Sequence, residues 1–568
     1  MKDKQRFIPI ILTIVLLFGA TLLGGWIARE TNTAAPDYYF EIDKNIQLFG
    51  KVYEEIARRY VEEIDPGKFM KSGIEGMLHT LDPYTMFIEY EDTDELKIMT
   101  TGKYGGVGMR IAKRDNWPTV VEPPFEGTPS SKAGIREGDR IIEIDGVPTK
   151  TLTITETAER LRGEIGTAVS ISIRRVGEMK PLEFRLIRAE IKVSDVTFAG
   201  FVDDKIGYIR LSHFSRYAGK QVHDSIAVLK GQGMESLILD LRGNPGGLLE
   251  SAVQVAENFV PEGNLIVYTK GRASGTNVEY RSSIEPIWGD KPLILLVDNF
   301  SASASEIVAG AIQDLDRGLI IGSRTFGKGL VQTVLPLNQK GTSLKITTAK
   351  YYIPSGRLIQ KPDFIRAKDV VWGYEANKDT TVKQDEVFFT KSKRKVHGGG
   401  GIVPDIKVEP YEITPLFGNL IMKSMFFNYA LEYASQNGQI HQDFEVTDDM
   451  VADFKKFLTE KQFTYKTDAE EHCDAIEELL KEQHYDQTVI ASFNNFKKAV
   501  ADAKKADFDR DLDLIKWKLK TEISAKLWGT EGKYQSEFQW TPEIKKAVEI
   551  ISNESSYSSL LSSLVDIR

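Results

Sequence analysis

The sequence predicts a multidomain α/β protein, and three observations predict it. Between residues 200 and 360, short apolar runs such as "KIGYIRL", "SLILDL", "PLILLVD" and "GLIIGS" alternate with amphipathic stretches such as "LLESAVQVAENFV" and "SASEIVAGAIQDL". Strand and helix alternating in that way make a layered α/β domain, whose strand-end turns are where such folds put ligands. Between 97 and 190, glycine-rich turns separate short alternating strands and a single helix, which fits a small, partly open barrel. From 411 to 568 the chain is charged, poor in glycine and apolar at spacings of three and four, which fits a helical extension.

The whole chain has 568 residues, of which 41% are hydrophobic and 27% charged. That length implies several domains, and the composition is ordinary for a globular protein with a sizeable core. The formal net charge is −9, with no long basic run, which argues against nucleic acid as a partner. Cys473 is the single cysteine. It excludes an internal disulfide and any CxxC metal site, and it reads as a small buried apolar residue. No metal or cofactor is expected.

The elements follow in order. Lys2, Lys4 and Arg6 form a short cytoplasmic tail (1–6) before Phe7 to Ile27, a run without a charged side chain. About twenty apolar residues cross a bilayer as a helix, and the basic flank stays inside. The segment 7–27 therefore reads as an anchor with the rest of the chain outside. A cleaved signal peptide is the alternative, with Thr33-Ala34-Ala35 as its only small-x-small site. Residues 36–96 read as a helical region: Ile46, Phe49, Val52, Tyr53, Ile56 and Tyr60 recur at three and four, and Asp65-Pro66 marks a second helix by N-cap and first position. "LDPYTMF" closes that region as a turn. Within 97–190, "YGGVGMRI" runs into a strand, "DRIIEI" turns at Asp145-Gly146, "ITETAERLRG" is helical and "AVSISIRRV" alternates as a strand. The layered core occupies 191–360 and returns at 400–410. Residues 361–399 read as an irregular insertion. In the helical extension, "ITPLFGNLIMKSMFFNYALEYA", "MVADFKKFLTE", "DAIEELLKEQ" and "DLIKWKLKTEISAKLW" read as helices.

The chemistry concentrates at "DNFSASASEI". A strand ending at "LLVD" and a helix starting near Ser303 place that hydroxyl among free helix N–H groups, which can stabilise an oxyanion. Serine needs a base to become a nucleophile. There are seven histidines, and the nearest in sequence, His223 and His397, have no serine partner that the pattern supports. Lys328, between Gly327 and Gly329 in "SRTFGKGLVQ", follows Ser303 by one helix, one turn and one strand. Its ordinary pKa of about 10.4 must fall by several units before it can serve as a base, so this reading requires burial against Ser303. Gln332 is placed to orient the ammonium. The plainer readings are helix capping for Ser301, Ser303 and Ser305, and a solvated loop for Lys328. "LDLRGNPGGLLE" adds a strand, a glycine turn and a helix. It lacks the G-K-[ST] ending of a nucleotide loop, and its N–H groups suit the other half of an oxyanion hole.

"SASASE", "TFGKGLVQ" and "DLRGNPGG", preceded by "GIREGDRIIEIDG", resemble the carboxyl-terminal processing (tail-specific) serine proteases, across about residues 45 to 360 plus "GIVPDI". The resemblance implies a ClpP/crotonase-like α/β protease core with an inserted-order PDZ domain over 97–190. It implies Ser303 as nucleophile, Lys328 as general base, Gln332 as orienting residue, and the N–H groups of Ala304 and Gly247 as oxyanion hole. It also implies that the PDZ domain binds peptide C-termini. A PDZ groove takes a peptide as an added strand and holds its carboxylate on successive N–H groups; "YGGVGM", Tyr104 to Met109, is the candidate loop, with Tyr104, Gly105, Gly106, Val107 and Gly108 as its binding residues. Arg162 is a candidate sensor of bound peptide. One departure stands out: the family runs almost directly from "PSGRxIQ" to "GIxPD", and here Gln360 and Gly401 are separated by the insertion.

These readings make the chain a serine endopeptidase held in a bacterial inner membrane, with its catalytic part in the periplasm, cutting exported or unfolded proteins near free C-termini. Two other classes compete: a catalytically silent PDZ scaffold, and an acyl-CoA enzyme of crotonase type. A homodimer or a regulatory partner is left open.

Overall fold

A computed structural model describes residues 36–89, 98, 100–337, 342–361, 386–438 and 440–563. The expected anchor over 7–27 lies outside the described residues. Among those described, no helix is long and apolar enough to cross a membrane.

The chain divides into two units, 1–81 and 82–568. In the first, α1 (Pro36–Arg59) and α2 (Pro66–Leu78) form a helical pair. Asp65 caps α2 by accepting from the N–H groups of Gly67 and Lys68. The Tyr53 ring of α1 stacks on Phe69 at 5.5 Å, and its hydroxyl donates to the Pro66 carbonyl.

The second unit begins with β1 (Met86–Ile88) and then the small sheet domain. Its strands are β2 (Lys103–Gly106), β3 (Ile111–Arg114), β4 (Trp117–Val120), β5 (Arg140–Ile144), β6 (Val147–Pro148), β7 (Ala168–Arg174), β8 (Leu182–Ile187) and β9 (Ala189–Lys192). The sheet order is β3-β4-β5-β7-β8 with β6 beside β5, and β2 pairs with β9 as a separate antiparallel ribbon. Asp145 and Gly146 both take positive φ in the β5–β6 turn, as a type I′ hairpin demands. Helix α3 (Ile154–Leu161) starts with a capping box from Thr153 to Glu156. Val169, Ile171 and Ile173 alternate into the core of this domain with Ile141 and Ile144.

The main sheet runs β10 (Val196–Asp203), β11 (Ile206–Leu211), β12 (Ser236–Asp240), β15 (Leu293–Val297), β16 (Leu319–Gly322) and β21 (Ile406–Lys407). β10 is antiparallel to β11, and every later pair is parallel. A parallel sheet must be covered on both faces, so its strands read as continuous apolar runs. One face, with Leu237, Leu239, Leu293 and Leu295, packs on α4 (Ala218–Gly231), α5 (Leu249–Glu257) and α6 (Ala304–Asp314). The other face, with Tyr208, Ile238, Ile294 and Leu296, packs on Phe538, Ile544, Ile550 and Tyr557 from the end of the chain. The last helices are therefore the second covering layer of this sheet, a role with no local sequence signal. A further sheet of β1, β18 (Ser343–Tyr352), β13 (Leu265–Lys270) and β14 (Glu279–Arg281) carries β17 (Leu330–Pro336) on β18.

Two expectations are corrected. Residues 386–399 are not irregular. They contain the hairpin β19 (Val387–Phe389) and β20 (Lys395–His397), and Arg394 is buried between Asp316 and Asp405. The ends flanking the insertion meet: Gly399 N donates to the Leu358 carbonyl and Gly401 N to that of Ile359, both at 2.8 Å. The "PSGR" and "GIVPD" segments are neighbours in space despite their separation in sequence. The run "ITPLFGNLIMKSMFFNYALEYA" is two helices, α7 (Pro415–Met422) and α8 (Met425–Gln436), because Ser424 between them is left-handed. Further helices are α9 (Asp448–Glu460), α10 (Asp468–Glu482), α11 (Gln487–Ala503), α12 (Leu512–Phe538), α13 (Pro542–Ile551) and α14 (Glu554–Ser563). α12 is interrupted at Gly529, whose φ of 65° and ψ of −148° are not helical. Cys473 is buried, as read.

Candidate active site

Strand β15 is fully buried, and the chain leaves its end through Asp298 to Ser303 before α6 begins. The three serines of this stretch have different fates. Ser301 Oγ donates to the Leu241 carbonyl and Ser305 Oγ to the Asn244 carbonyl, and both residues are fully buried. They are structural. Ser303 is half-exposed, and its backbone sits at φ 52°, ψ −110°. An L-residue adopts that region only when its surroundings hold it there.

The holding groups are visible. Glu306, three residues on, accepts from Ser303 N at 2.9 Å, from Lys328 N at 2.9 Å, from Gly327 N at 2.7 Å and from Thr325 Oγ1 at 2.6 Å. One fully buried carboxylate thus ties the start of α6 to the turn that carries Lys328. Burial pushes the Glu306 carboxyl up to about 7, against the pull of those four donors. Tyr351 on β18 adds a second tie, its hydroxyl reaching the carbonyls of both Ser303 and Lys328.

Lys328 leads into β17 and is half-buried. Its Nζ donates to Gln332 Oε1 at 3.1 Å and lies 4.3 Å from the centre of the Tyr84 ring. Burial, and then the charge of Lys345, lower its pKa from 10.5 to about 8. Asp82 and Glu306 oppose that shift. Near pH 8 a substantial share of this amine is therefore neutral, which is what a base requires.

The glycine turn between β12 and α5 closes the site. Asp298 Oδ1 accepts from Gly243 N, and buried Asn244 accepts from Gly246 N while its carbonyl receives Ala302 N. Gly246, at φ 97°, lies so close that a Cβ there would be 2.6 Å from the Ala302 carbonyl oxygen and 2.9 Å from both Ala304 N and Ser303 Cβ. Phe214 N donates to the Gly246 carbonyl and Leu248 N to that of Phe214. In such a bridge the intervening N–H, that of Gly247, points away from Phe214. Gly247 lines the cleft beside the first turn of α6, whereas Ala304, the first residue of that helix, is fully buried and is not among the residues lining the cleft. Behind the turn, Asp240 is buried between Arg210 and Arg242, and those guanidiniums hold its carboxyl well below the usual range despite burial. Arg242 also bonds Glu543 of α13, which links the terminal helices to this loop.

Ser303, Lys328, Gln332 and Gly247 line one cleft of about 570 Å³. His223 and His397 do not line it. Apolar side chains Leu248, Leu249, Ile307 and Leu330 share its wall. The residues that the sequence argument missed are Glu306, Tyr351, Tyr84 and Lys345. Glu306 had a signal, since Ser-x-x-Glu before an apolar run is a capping-box pattern. The others come from distant segments and had none.

Comparison with known proteins bears on this arrangement. Residues 205–366 match Peptidase family S41, 120–175 match a PDZ domain, 416–551 match "Probable PDZ-protease, C-terminal helical domain", and 28–92 match "Activating protease CtpB N-terminal domain". The chain is 35% identical to a carboxy-terminal-processing protease of Bartonella bacilliformis over 65% of its own length and 85% of the relative's. It belongs to the carboxy-terminal-processing protease family. A carboxyl-terminal-processing protease of Synechocystis is 41% identical over 51% of this chain and 68% of its own. A photosystem II D1 C-terminal processing protease of known structure is 27% identical over 64% of this chain and 92% of its own, with a TM-score of 0.34. The chain is accordingly a serine peptidase with a PDZ domain and a C-terminal helical domain.

In this peptidase the PDZ candidates cluster apart from the cleft. Arg162 lies with its guanidinium 5.5 Å from the Tyr104 ring centre. Gly106 is adjacent, a Cβ there being 3.8 Å from the Arg162 α-carbon. The expected loop over Tyr104 to Met109 is shorter than read: Tyr104, Gly105 and Gly106 are in β2, paired with β9. Gly105 is glycine for a packing reason, because a Cβ would sit 2.2 Å from the Gly163 carbonyl oxygen. The Val107 side chain is in the core of the domain, so it can offer a ligand only backbone. Gly108, at φ 82°, turns the chain against Thr128.

Proposed function

We propose that this peptidase works through a Ser303/Lys328 dyad. The observation that carries the reading is a half-buried lysine, lowered to about 8 and bonded to Gln332, that shares a cleft with a serine held at φ 52°. Neutral Lys328 takes the proton as Ser303 Oγ attacks the scissile carbonyl. The N–H groups of Ala304 and Gly247 receive the developing oxyanion. Lys328 then protonates the leaving amine, and an acyl ester on Ser303 remains. Water attacks that ester with Lys328 again as base, which frees the new carboxylate and regenerates the serine. Gln332 orients the amine throughout. The scheme uses only side chains, backbone and water.

The substrates on this reading are exported or unfolded proteins, recognised by free C-termini at Tyr104, Gly105, Gly106, Val107 and Gly108 of the PDZ domain, with Arg162 sensing the bound tail. The segment 7–27 is proposed as a single-pass inner-membrane anchor with the catalytic part in the periplasm, supported by its apolar length and basic flank. The parallel sheet with helices on both faces supports a ClpP/crotonase-like core over 191–360 with 400–410, beside a helical region 36–96, the PDZ domain 97–190, the insertion 361–399 and the helical domain 411–568.

The test is cleavage of an unfolded model protein with an apolar free C-terminus, by chains lacking residues 1–35. The unaltered chain should cut it, and Ser303→Ala and Lys328→Ala should not, with both variants folded. Retained cleavage by Lys328→Ala would overturn the dyad. Binding of the tail without cleavage by the unaltered chain would favour a PDZ scaffold instead.

A further inference from the structure

The turn "LDPYTMF" takes no part in the scheme above, yet the structure delivers it to the base. Asp82 Oδ1 accepts from the N–H groups of Tyr84 and Thr85, and Oδ2 accepts from Thr85 Oγ1, all at 2.9 Å. Thr347 N reaches Thr85 Oγ1 at 3.3 Å, and β1 then pairs antiparallel to β18, with Met86 opposite Lys345. On the other side of β18, Val334 of β17 is also opposite Lys345. A turn before one strand and a lysine before the other are thus fixed to the same central strand. Tyr84 is half-buried, and its ring faces Lys328 Nζ at 4.3 Å from the centroid, while Gln332 Oε1 holds the same nitrogen at 3.1 Å.

We infer that Tyr84 is a positioning residue for the proton acceptor, its ring face and Gln332 Oε1 together clamping the Lys328 nitrogen. This inference rests on the Ser303/Lys328 reading. The ring acts in two opposed ways. Its bulk keeps water from the amine, which favours the neutral form. Its π face attracts the ammonium, which favours the charged form. The other groups facing Lys328 are Lys345, which repels the ammonium, and Asp82 and Glu306, which attract it. Tyr351 binds only the backbone of Lys328.

The two actions separate by substitution, with the pH dependence of kcat/KM as the readout. Tyr84→Phe keeps the ring and leaves the midpoint in place. Tyr84→Leu keeps apolar bulk without the π face, so the ammonium is disfavoured and the midpoint moves down by about half a pH unit or more. Tyr84→Ala admits water, and the midpoint moves up. The same three changes in a Ser303→Ala background, read as the pH dependence of Lys328 Nζ acetylation by mass spectrometry, need no turnover. Thermal unfolding of each variant checks folding, and an unfolded Leu variant is replaced by Tyr84→Met. Opposite shifts for Leu and Ala, with none for Phe, establish the clamp. Shifts in one direction, or no shift while Lys328→Ala is inactive, overturn it and leave the dyad intact. Activity in Lys328→Ala overturns the dyad and the clamp together.

Discussion

A lysine that serves as a base by being buried must cost the fold something while it is charged, and that cost can be measured. The perturbation is Lys328→Met, made in a Ser303→Ala background so that no autolysis intervenes. Methionine keeps most of the stem volume and removes the charge. The folded chain lowers Lys328 from 10.5 to about 8. Between those values the unfolded chain binds more protons than the folded one, so stability rises as pH climbs through the window. Below about pH 8 the full cost is present, and above about pH 10.5 it is gone. At 1.36 kcal/mol per unit the shift corresponds to roughly 3 kcal/mol, which partial exposure reduces to about 2 kcal/mol. Urea unfolding should therefore show Lys328→Met to be more stable than its parent by about 2 kcal/mol at pH 7, with the difference fading toward pH 10.5. A variant less stable than its parent at pH 7 would refute the reasoning, because it would mean that the ammonium is well satisfied where it lies.

Three other outcomes are expected. Glu306→Ala strands four donors, at about 1 kcal/mol or more each; it should lose several kcal/mol in denaturant unfolding as well as activity, with Glu306→Gln intermediate in both. Gly246→Ala places a Cβ 2.6 Å from the Ala302 carbonyl oxygen at a φ of 97°; kcat should fall steeply in a peptide assay, and an active variant would remove the glycine turn from the oxyanion hole. Lys526 of α12 pairs with Glu137 of the PDZ domain at 2.6 Å, both nearly buried, and Leu431 of α8 rests where a Cβ on Gly138 would be. Glu137→Ala takes away the shorter of that lysine's two carboxylate contacts and leaves Glu522 at 3.3 Å, at a cost of about 1.5–3 kcal/mol for a lost hydrogen bond between charged groups, so proteolysis or hydrogen exchange should report a loosened PDZ contact that the double change Glu137→Leu with Lys526→Met restores.

What the sequence made legible is what local chemistry decides. Apolar runs such as "PLILLVD" gave the strands because a parallel sheet is buried on both faces. Asp65-Pro66 gave a helix start because the cap is local. Ser303, Lys328 and Gln332 stood out as candidates because a serine before a helix, a lysine between glycines and an amide four residues on form a chemical set, and the structure sets all three on one cleft. Contacts made across the chain were not legible. Tyr84 lies far from Lys328 in sequence, and only their shared neighbour β18 brings them together. The terminal helices cover the back of the main sheet through Ile544, Ile550 and Tyr557, which look like any amphipathic pattern. The break at Ser424 carried no glycine or proline to announce it. The hairpin over 387–397 was masked by its charge, since Arg394 reads as a surface residue until Asp316 and Asp405 surround it.

The most direct test of the central claim is covalent trapping of the nucleophile as a function of pH. The chain is treated with a fluorophosphonate, and the modified residue is located by mass spectrometry. The account predicts a single adduct on Ser303, with a rate that rises with a midpoint near pH 8. The adduct should vanish in Ser303→Ala and fall by several orders of magnitude in Lys328→Ala. An adduct on another residue, or a Ser303 adduct whose rate ignores both pH and Lys328, would contradict it.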